Sequence, residues 1–229
     1  MAVRQLADHL KIQSFHVIGA SSGGPPALAI KALLKERVSR CILISAECEN
    51  ATLQGTKRQT ELMCCAPGKC CACCLPCCLG KVMAPMMAGQ LQPAKMWAMI
   101  EKGDCKSMGI TPAELEGWRL LGKEKSDFAT EAIRDVFAAG ATGATADYVT
   151  EAKPWPASVK GALPGLEGVE LWHGDEDKTV PFAAALHTQG MVPKAVLHRV
   201  GGFGHELGVF LLESRLDDLA AAPLAMERP

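Results

Sequence analysis

Short apolar runs and amphipathic stretches alternate at the start of this chain. Residues 15–18 and 41–46 are runs rich in strand-forming apolar residues, and the stretches 3–11 and 27–38 place apolar side chains at helical spacing. Apolar strands separated by amphipathic helices are typical of a parallel sheet that helices cover on both faces. The pattern therefore predicts an α/β fold.

The same alternation returns in the last third of the chain. The predicted elements there are a strand at 169–172, a helix at 182–189, a strand at 195–200 and a helix from 206 to 222. Two stretches of one parallel sheet are thus separated by a long insertion. We predict a core made of 1–48 and 161–229, interrupted by a helical cap at 49–160.

The insertion has a helical pattern. It is rich in Ala, Met, Gly and Cys and contains no clear strand. Thr111 and Glu114 fit a capping box, with Pro112 at the first helical position, which predicts a helix start. A second helix is predicted over 126–139, with these apolar residues on one buried stripe: Phe128, Ala132, Ile133, Val136 and Phe137.

Composition excludes some classes of protein. The 229 residues carry 24 basic and 25 acidic side chains, so no net field attracts nucleic acid or an anionic membrane, and only 5% of residues are aromatic. The first residues form no uninterrupted apolar signal core, and no run approaches the roughly 20 apolar residues of a membrane span. The expected location is cytoplasmic, with most of the 11 cysteines as free thiols.

A candidate nucleophile lies where the first predicted strand turns into a helix. The segment from Gly19 to Gly23, with Ser21 at its centre, fits the Gly-x-Ser-x-Gly pattern of a nucleophile elbow. The chain must reverse within a few residues, so the central serine is strained and its hydroxyl projects from the sheet. The residues two before and two after the serine approach each other, so a small residue is predicted at both positions.

Ser22 has two further interpretations. Framed by Ala20 and Gly24, it is a looser match to the same pattern and the alternative nucleophile. With Ser21 as the nucleophile, the backbone N–H of Ser22 is predicted to donate to a developing oxyanion.

The segment from Gly19 to Gly23 is also compatible with a plain glycine-rich turn or a phosphate loop. However, it lacks a Gly-Lys-Ser/Thr ending, and Ser21 replaces the second glycine of the dinucleotide pattern.

Two polar groups follow the later strands. Asp177 lies in the loop after one predicted strand and His205 in the loop after the next, and the chain order Ser, Asp, His is that of the α/β-hydrolases. The segments GASSGGPPALA, WHGDEDKTVP and GFGHE, and the Pro-Trp pair at 154–155, resemble the corresponding motifs of the α/β-hydrolase superfamily. The resemblance covers 1–48 and 150–229.

The resemblance implies that Ser21 is the nucleophile, that His205 takes and returns its proton, and that Asp177 orients the histidine. Asp177 matches the motif better than Asp175 or Glu176, which are predicted to be solvated loop acids. A serine nucleophile implies acyl chemistry on ester-like bonds of a small apolar or acyl-type substrate. It argues against the epoxide hydrolases and dehalogenases, which use a carboxylate. No cofactor is expected, and the other histidines lack metal-ligand spacing and are predicted to be surface or structural.

The resemblance also raises a question about the start of the chain. In the superfamily about four strands precede the elbow, and a loop that often begins His-Gly supplies the second oxyanion N–H. Here the first predicted strand is at Phe15 and no His-Gly loop precedes Ser21. Three expectations remain open: a fragment of a longer protein, a short form whose apolar edge strand self-associates or pairs with another chain, or an enzyme with a rearranged oxyanion site. The alternative function is that of a catalytically impaired, truncated hydrolase-like protein. It would act by binding partners through the open sheet edge, or by binding or membrane association through the cysteine cluster at 64–78.

Eight cysteines in four pairs lie within residues 64–78. One interpretation is a cap segment with reduced thiols. Another is membrane association through S-acylation, for which two acyl chains already suffice. A third is metal binding, because Cys71, Cys74 and Cys77 have C-x₂-C spacing. Acylation ranks slightly above metal, and neither follows from the hydrolase resemblance.

Overall fold

The computed structural model describes residues 2–48, 92–108, 110–136 and 155–214 of the chain. The cysteine segment 64–78 lies outside these residues, as do 137–154 and the end of the predicted C-terminal helix. In chain order the elements are α1 (Ala2–His9), β1 (Phe15–Ala20), a 3₁₀ turn (Ser21–Gly23), α2 (Gly24–Leu33), β2 (Val38–Ile44), α3 (Pro93–Lys102), α4 (Cys105–Met108), α5 (Pro112–Val136), α6 (Ala157–Ala162), a second 3₁₀ turn (Leu163–Gly165), β3 (Val169–Gly174), α7 (Ala183–Met191), β4 (Val196–Val200) and α8 (Leu207–Ser214).

The four strands of the described residues form one sheet in the order β1-β2-β3-β4, and every neighbouring pair is parallel. Strands β2 and β3 are neighbours although residues 45–168 separate them in the chain. The predicted α/β architecture is therefore confirmed. The carboxyl ends of all four strands meet at one edge of the sheet, so the loops that follow them lie close together.

Both faces of the sheet are buried along the central strands, from Cys41 to Ile44 in β2 and throughout β3, as the apolar runs predicted. In β2, Cys41 and Leu43 face one side while Ile42 and Ile44 face the other, because side chains alternate along a strand. Helices α2 and α6 cover the first side, where Trp155 also packs. Helix α8 covers the second side with Leu207 and Leu211. No helix in the described parts of the chain is long and apolar enough to cross a membrane.

The described part of the helix predicted at 126–139 belongs to α5, which contains a break at Gly122, where φ is 79° and ψ is 167°. The predicted buried stripe is wrong where the structure describes it: Phe128 is 62% exposed, and Ala132 is exposed as well. Ser126 and Thr130 are buried instead. The Thr130 hydroxyl donates to the Ser126 carbonyl at 2.7 Å, so the hydroxyl is satisfied within the helix and a polar face can be buried at little cost.

A polar cluster crosses the α8 side of the sheet near the strand starts. Arg40 of β2 donates to Glu170 of β3 through Nη2 at 2.7 Å and Nε at 3.0 Å. His198 of β4 stacks on Trp172 with ring centroids 3.9 Å apart, and burial lowers its pKa. The charged pair on this face is therefore mutually compensated, as buried charges must be.

Candidate active site

The turn after β1 has the geometry of a strained elbow. Ser21 has φ of 52°, a left-handed conformation that a serine rarely adopts, and it opens the 3₁₀ turn that leads into α2. A Cβ on Gly19 would lie 2.3 Å from the Gly23 carbonyl oxygen and 2.7 Å from the Ala27 Cβ. Glycine is therefore required at position 19, because the chain passes over itself there.

The prediction that both flanking residues must be small holds at only one of them. A Cβ on Gly23 would meet nothing within 4 Å, so this position has room for a larger residue. The second constrained glycine is Gly24, whose Cβ would lie 2.4 Å from that of Ala46. Gly24 lets the first turn of α2 pack against the segment after β2, a role that the motif alone did not indicate.

The structure brings Ser21, His205 and Asp177 together. His205 Nε2 lies 3.0 Å from Ser21 Oγ, and His205 Nδ1 lies 3.0 Å from Asp177 Oδ2. The three residues follow β1, β4 and β3, so the shared carboxyl edge of a parallel sheet assembles them. Ser22 is the next residue in the turn, with an exposed side chain. The oxyanion role of its backbone N–H stays a prediction.

Asp177 is held by its own loop. One carboxylate oxygen, Oδ1, accepts the backbone N–H groups of Thr179 at 2.9 Å and Val180 at 2.8 Å, which leaves Oδ2 for His205. His173, fully buried in β3, donates from Nε2 to the Val180 carbonyl at 2.8 Å. Burial lowers the pKa of His173. This histidine has a structural contact, as its sequence context suggested, because it joins β3 to the loop that carries Asp177.

Asp175 was predicted to be a solvated loop acid, and this prediction is wrong. Its Oδ1 accepts the backbone N–H of Gly202 at 2.8 Å, and its Oδ2 lies 3.4 Å from Arg199 Nε. The carboxylate thus connects the loop after β3 to the loop after β4. Glu176 is exposed, as predicted. The short Asp side chain at 175 is explained by the close approach of the two loops, which a local pattern does not reveal.

The electrostatic environment favours the protonated form of His205. Burial by itself lowers the pKa of this histidine, but the Asp177 hydrogen bond and charge outweigh it, with help from Glu114 and Glu47, and the pKa is raised above 6.5. No sequence motif placed either glutamate at the site. Glu114 was identified only as the end of a capping box, and Glu47 follows β2 and donates its N–H to the Ser21 carbonyl at 3.0 Å.

This arrangement has the parts needed for nucleophilic catalysis. With its proton on Nδ1, the imidazole donates to Asp177 and accepts from the Ser21 hydroxyl on Nε2. The ring can then remove the hydroxyl proton as Oγ attacks, and the buried carboxylate stabilises the resulting cation. In the described ranges no group of three His, Cys, Asp or Glu side chains is arranged to hold a metal ion.

Solved structures resemble this chain over most of its length, although no family model and no curated protein matches its sequence. A thermophilic esterase from Thermogutta terrifontis is 18% identical, with a TM-score of 0.57 over 95% of this chain and 68% of the esterase. A carboxylesterase structure from Nitrososphaera gargenis is 16% identical, with a TM-score of 0.54 over 96% of this chain and 67% of the other. A bromoperoxidase from Bacillus anthracis is 14% identical, with a TM-score of 0.53 over 95% and 70%. At these identities the likeness establishes the fold, which is the α/β-hydrolase fold.

Proposed function

We propose that the protein is a serine hydrolase that cleaves ester-like bonds through an acyl-enzyme. Ser21 is the nucleophile, His205 the general base and then the general acid, and Asp177 the carboxylate that orients the histidine. The observation that carries the proposal is the unbroken series of contacts from Ser21 Oγ through His205 to Asp177, each 3.0 Å long. A serine beside a histidine without such an orienting carboxylate would be a much weaker indication.

The reaction follows from these contacts. Ser21 Oγ attacks the acyl carbonyl while its proton moves to His205 Nε2, and His205 then gives that proton to the leaving alkoxide. Water then attacks the acyl-enzyme while His205 takes its proton, and His205 returns that proton to Ser21 Oγ as the acid product leaves. The developing oxyanion forms next to the start of α2, where the N–H of Ser22 is the proposed donor. Backbone N–H groups already hold the Asp177 carboxylate in place. The carboxylate therefore does not have to reorient when the imidazole becomes a cation.

The substrate is proposed to be a small apolar or acyl-type ester. Two of the similar structures carry names that describe ester hydrolysis, and another is named as a hydrolase of meta-cleavage products, with a TM-score of 0.50. Those names describe those proteins alone, but they agree with a serine nucleophile that forms an acyl intermediate. The carboxylates of Glu47 and Glu114 near His205 disfavour a negatively charged group beside the histidine.

A series of p-nitrophenyl esters with increasing acyl length tests the proposal. The expected result is hydrolysis by the wild type, with a loss of about 10⁶-fold in kcat for Ser21→Ala and about 10⁴-fold for Asp177→Asn. Ser22→Ala is the matched control, because it removes the neighbouring hydroxyl but keeps the backbone N–H. Equal losses in the Ser21 and Ser22 variants would contradict the assignment of the nucleophile.

The second candidate function is that of a catalytically impaired binding protein. The observation that favours it is that β1 pairs with β2 alone among the described residues, so the other edge of β1 presents backbone donors and acceptors. A folded wild-type protein that hydrolyses no ester of the series and sediments as a dimer would support this function over catalysis. A monomer that hydrolyses these esters would exclude it.

A further inference from the structure

The carboxylate of Glu114 bridges the cap and the loop of the histidine. Its Oε2 accepts the backbone N–H of Thr111 at 2.6 Å, and the Thr111 hydroxyl accepts the backbone N–H of Glu114 at 3.1 Å, which completes the capping box at the start of α5. Its other oxygen, Oε1, accepts the backbone N–H of His205 at 3.1 Å. A capping box alone has no need of this second bond, which joins segments 91 residues apart.

The fit around this bond requires glycine on both sides. A Cβ on Gly204 would lie 2.2 Å from Glu114 Cγ, and a Cβ on Gly117 would lie 2.2 Å from Glu206 Cγ. Each glutamate therefore lies over a glycine of the opposite segment. Glu206 in turn accepts the backbone N–H of Gly204 at 3.1 Å. Only 3% of Glu114 is exposed, so its hydrogen bonds are made where water competes little.

We propose that Glu114 is a positioning residue for His205. Through the Glu114 carboxylate, the position of the cap helix α5 determines the orientation of the His205 imidazole. The inference rests on the function proposed above. The imidazole makes two contacts of 3.0 Å, and a backbone shift at residue 205 would change the geometry of both. A misplacement of about 1 Å at a catalytic group can cost about 100-fold in rate.

Glu114 also acts on the charge of the ring. The groups that face His205 are Asp177 after β3, Glu47 after β2, Glu114 on α5 and His173 in β3. Asp177 has the largest share in raising the pKa of His205, and Glu114 adds to it. Removing the Glu114 charge should therefore lower the pKa of His205 without touching the Ser21–His205–Asp177 contacts directly. A purely structural residue would not have this effect.

Glu114→Gln tests the inference because it keeps the shape of the side chain but removes its charge and one acceptor. The expected result is a fall of about 10- to 100-fold in kcat/KM, with the acidic midpoint of its pH profile moved to lower pH. Glu116→Gln is the matched control on the same helix, since Glu116 is half exposed and pairs only loosely with Arg119. The control should change neither quantity. A Glu114→Gln profile with an unchanged midpoint would overturn the inference.

Nuclear magnetic resonance keeps the test independent of activity and of the stability of the variant. In the wild type, the His205 amide should be strongly protected from hydrogen exchange, because its acceptor is a buried carboxylate. Exchange as fast as that of an exposed loop amide would overturn the inference. If the wild type hydrolyses no ester, the function fails, yet a lower imidazole pKa in Glu114→Gln would still support the placement of Glu114.

Discussion

Alanine at Gly19 and alanine at Gly23 should have opposite effects, although the elbow motif treats the two glycines alike. At Gly19 the new methyl would lie 2.3 Å from the Gly23 oxygen, 2.7 Å from the Ala27 Cβ and 2.8 Å from the Gly23 carbonyl carbon. Carbon atoms pack best at about 3.5–4.0 Å, so these groups must move apart by about 1 Å. None of the three is the end of a flexible side chain.

The size of the effect follows from this geometry. Forcing a methyl into a filled site typically costs about 1–3 kcal/mol, and the rigid neighbours of Gly19 place Gly19→Ala near 3 kcal/mol. Gly23 has φ of −70° and ψ of −12°, a helical conformation that alanine adopts readily, and an open surrounding. Gly23→Ala should therefore stabilise the protein by about 0.4–1 kcal/mol, through the lower entropy of the unfolded chain.

Urea unfolding, followed by circular dichroism, measures both changes. Equal slopes for the three proteins would show that the free energies of unfolding can be compared directly. Ester hydrolysis gives a second measurement, in which Gly19→Ala should lose activity in the fraction that remains folded, because Ser21 is displaced. If Gly19→Ala is as stable as the wild type, or if Gly23→Ala is destabilised as much as Gly19→Ala, the described crossing of the chain at the elbow is wrong.

Three further predictions concern other parts of the structure. The proposed mechanism needs neutral His205, and the pKa of this histidine is raised. The kcat/KM for an ester should therefore fall as the pH drops, with a midpoint above 6.5, and a midpoint below that value would contradict the environment described. Burial raises the pKa of the Cys41 thiol to about 12. Iodoacetamide at pH 8 should therefore modify the half-buried Cys105 and leave Cys41 unmodified, as peptide mapping would show. Labelling of Cys41 in the folded protein would refute this. Arg40→Met should lower the free energy of unfolding by up to about 3 kcal/mol in a thermal unfolding assay, because it removes the cation that donates to Glu170. Arg40→Met combined with Glu170→Met should recover most of this loss. A double variant less stable than the single one would contradict this.

Local patterns sufficed for the described strands and for the expectation that Ser21, Asp177 and His205 lie at one edge of the sheet. Strands such as β2 contain continuous apolar runs because both of their faces are buried. A glycine-flanked serine after such a strand also fits a plain turn, and the later Asp and His favour the elbow. The polar residues after β3 and β4 could be paired with it because carboxyl ends of parallel strands share one edge. These inferences needed only neighbours in sequence and a rule of topology.

The residues that were missed are defined by contacts between distant segments. Nothing near Glu114 in the chain indicates that its second oxygen reaches His205, and nothing near Asp175 indicates that it bonds to Gly202. The exposed face of α5 at Phe128 shows the converse case, in which an apolar stripe is regular but tertiary packing selects a different face. Periodicity describes what a helix could bury, and only the fold determines what it does bury.

Labelling with a fluorophosphonate probe tests the central proposal most directly, because the probe forms a covalent bond only with an activated serine. The wild type should be labelled at pH 8 with one probe per chain, and peptide mapping should place the adduct on Ser21. Ser21→Ala should not be labelled, while Ser22→Ala should react like the wild type. An adduct on Ser22, or a folded wild-type protein that takes up no probe, would contradict the proposed mechanism.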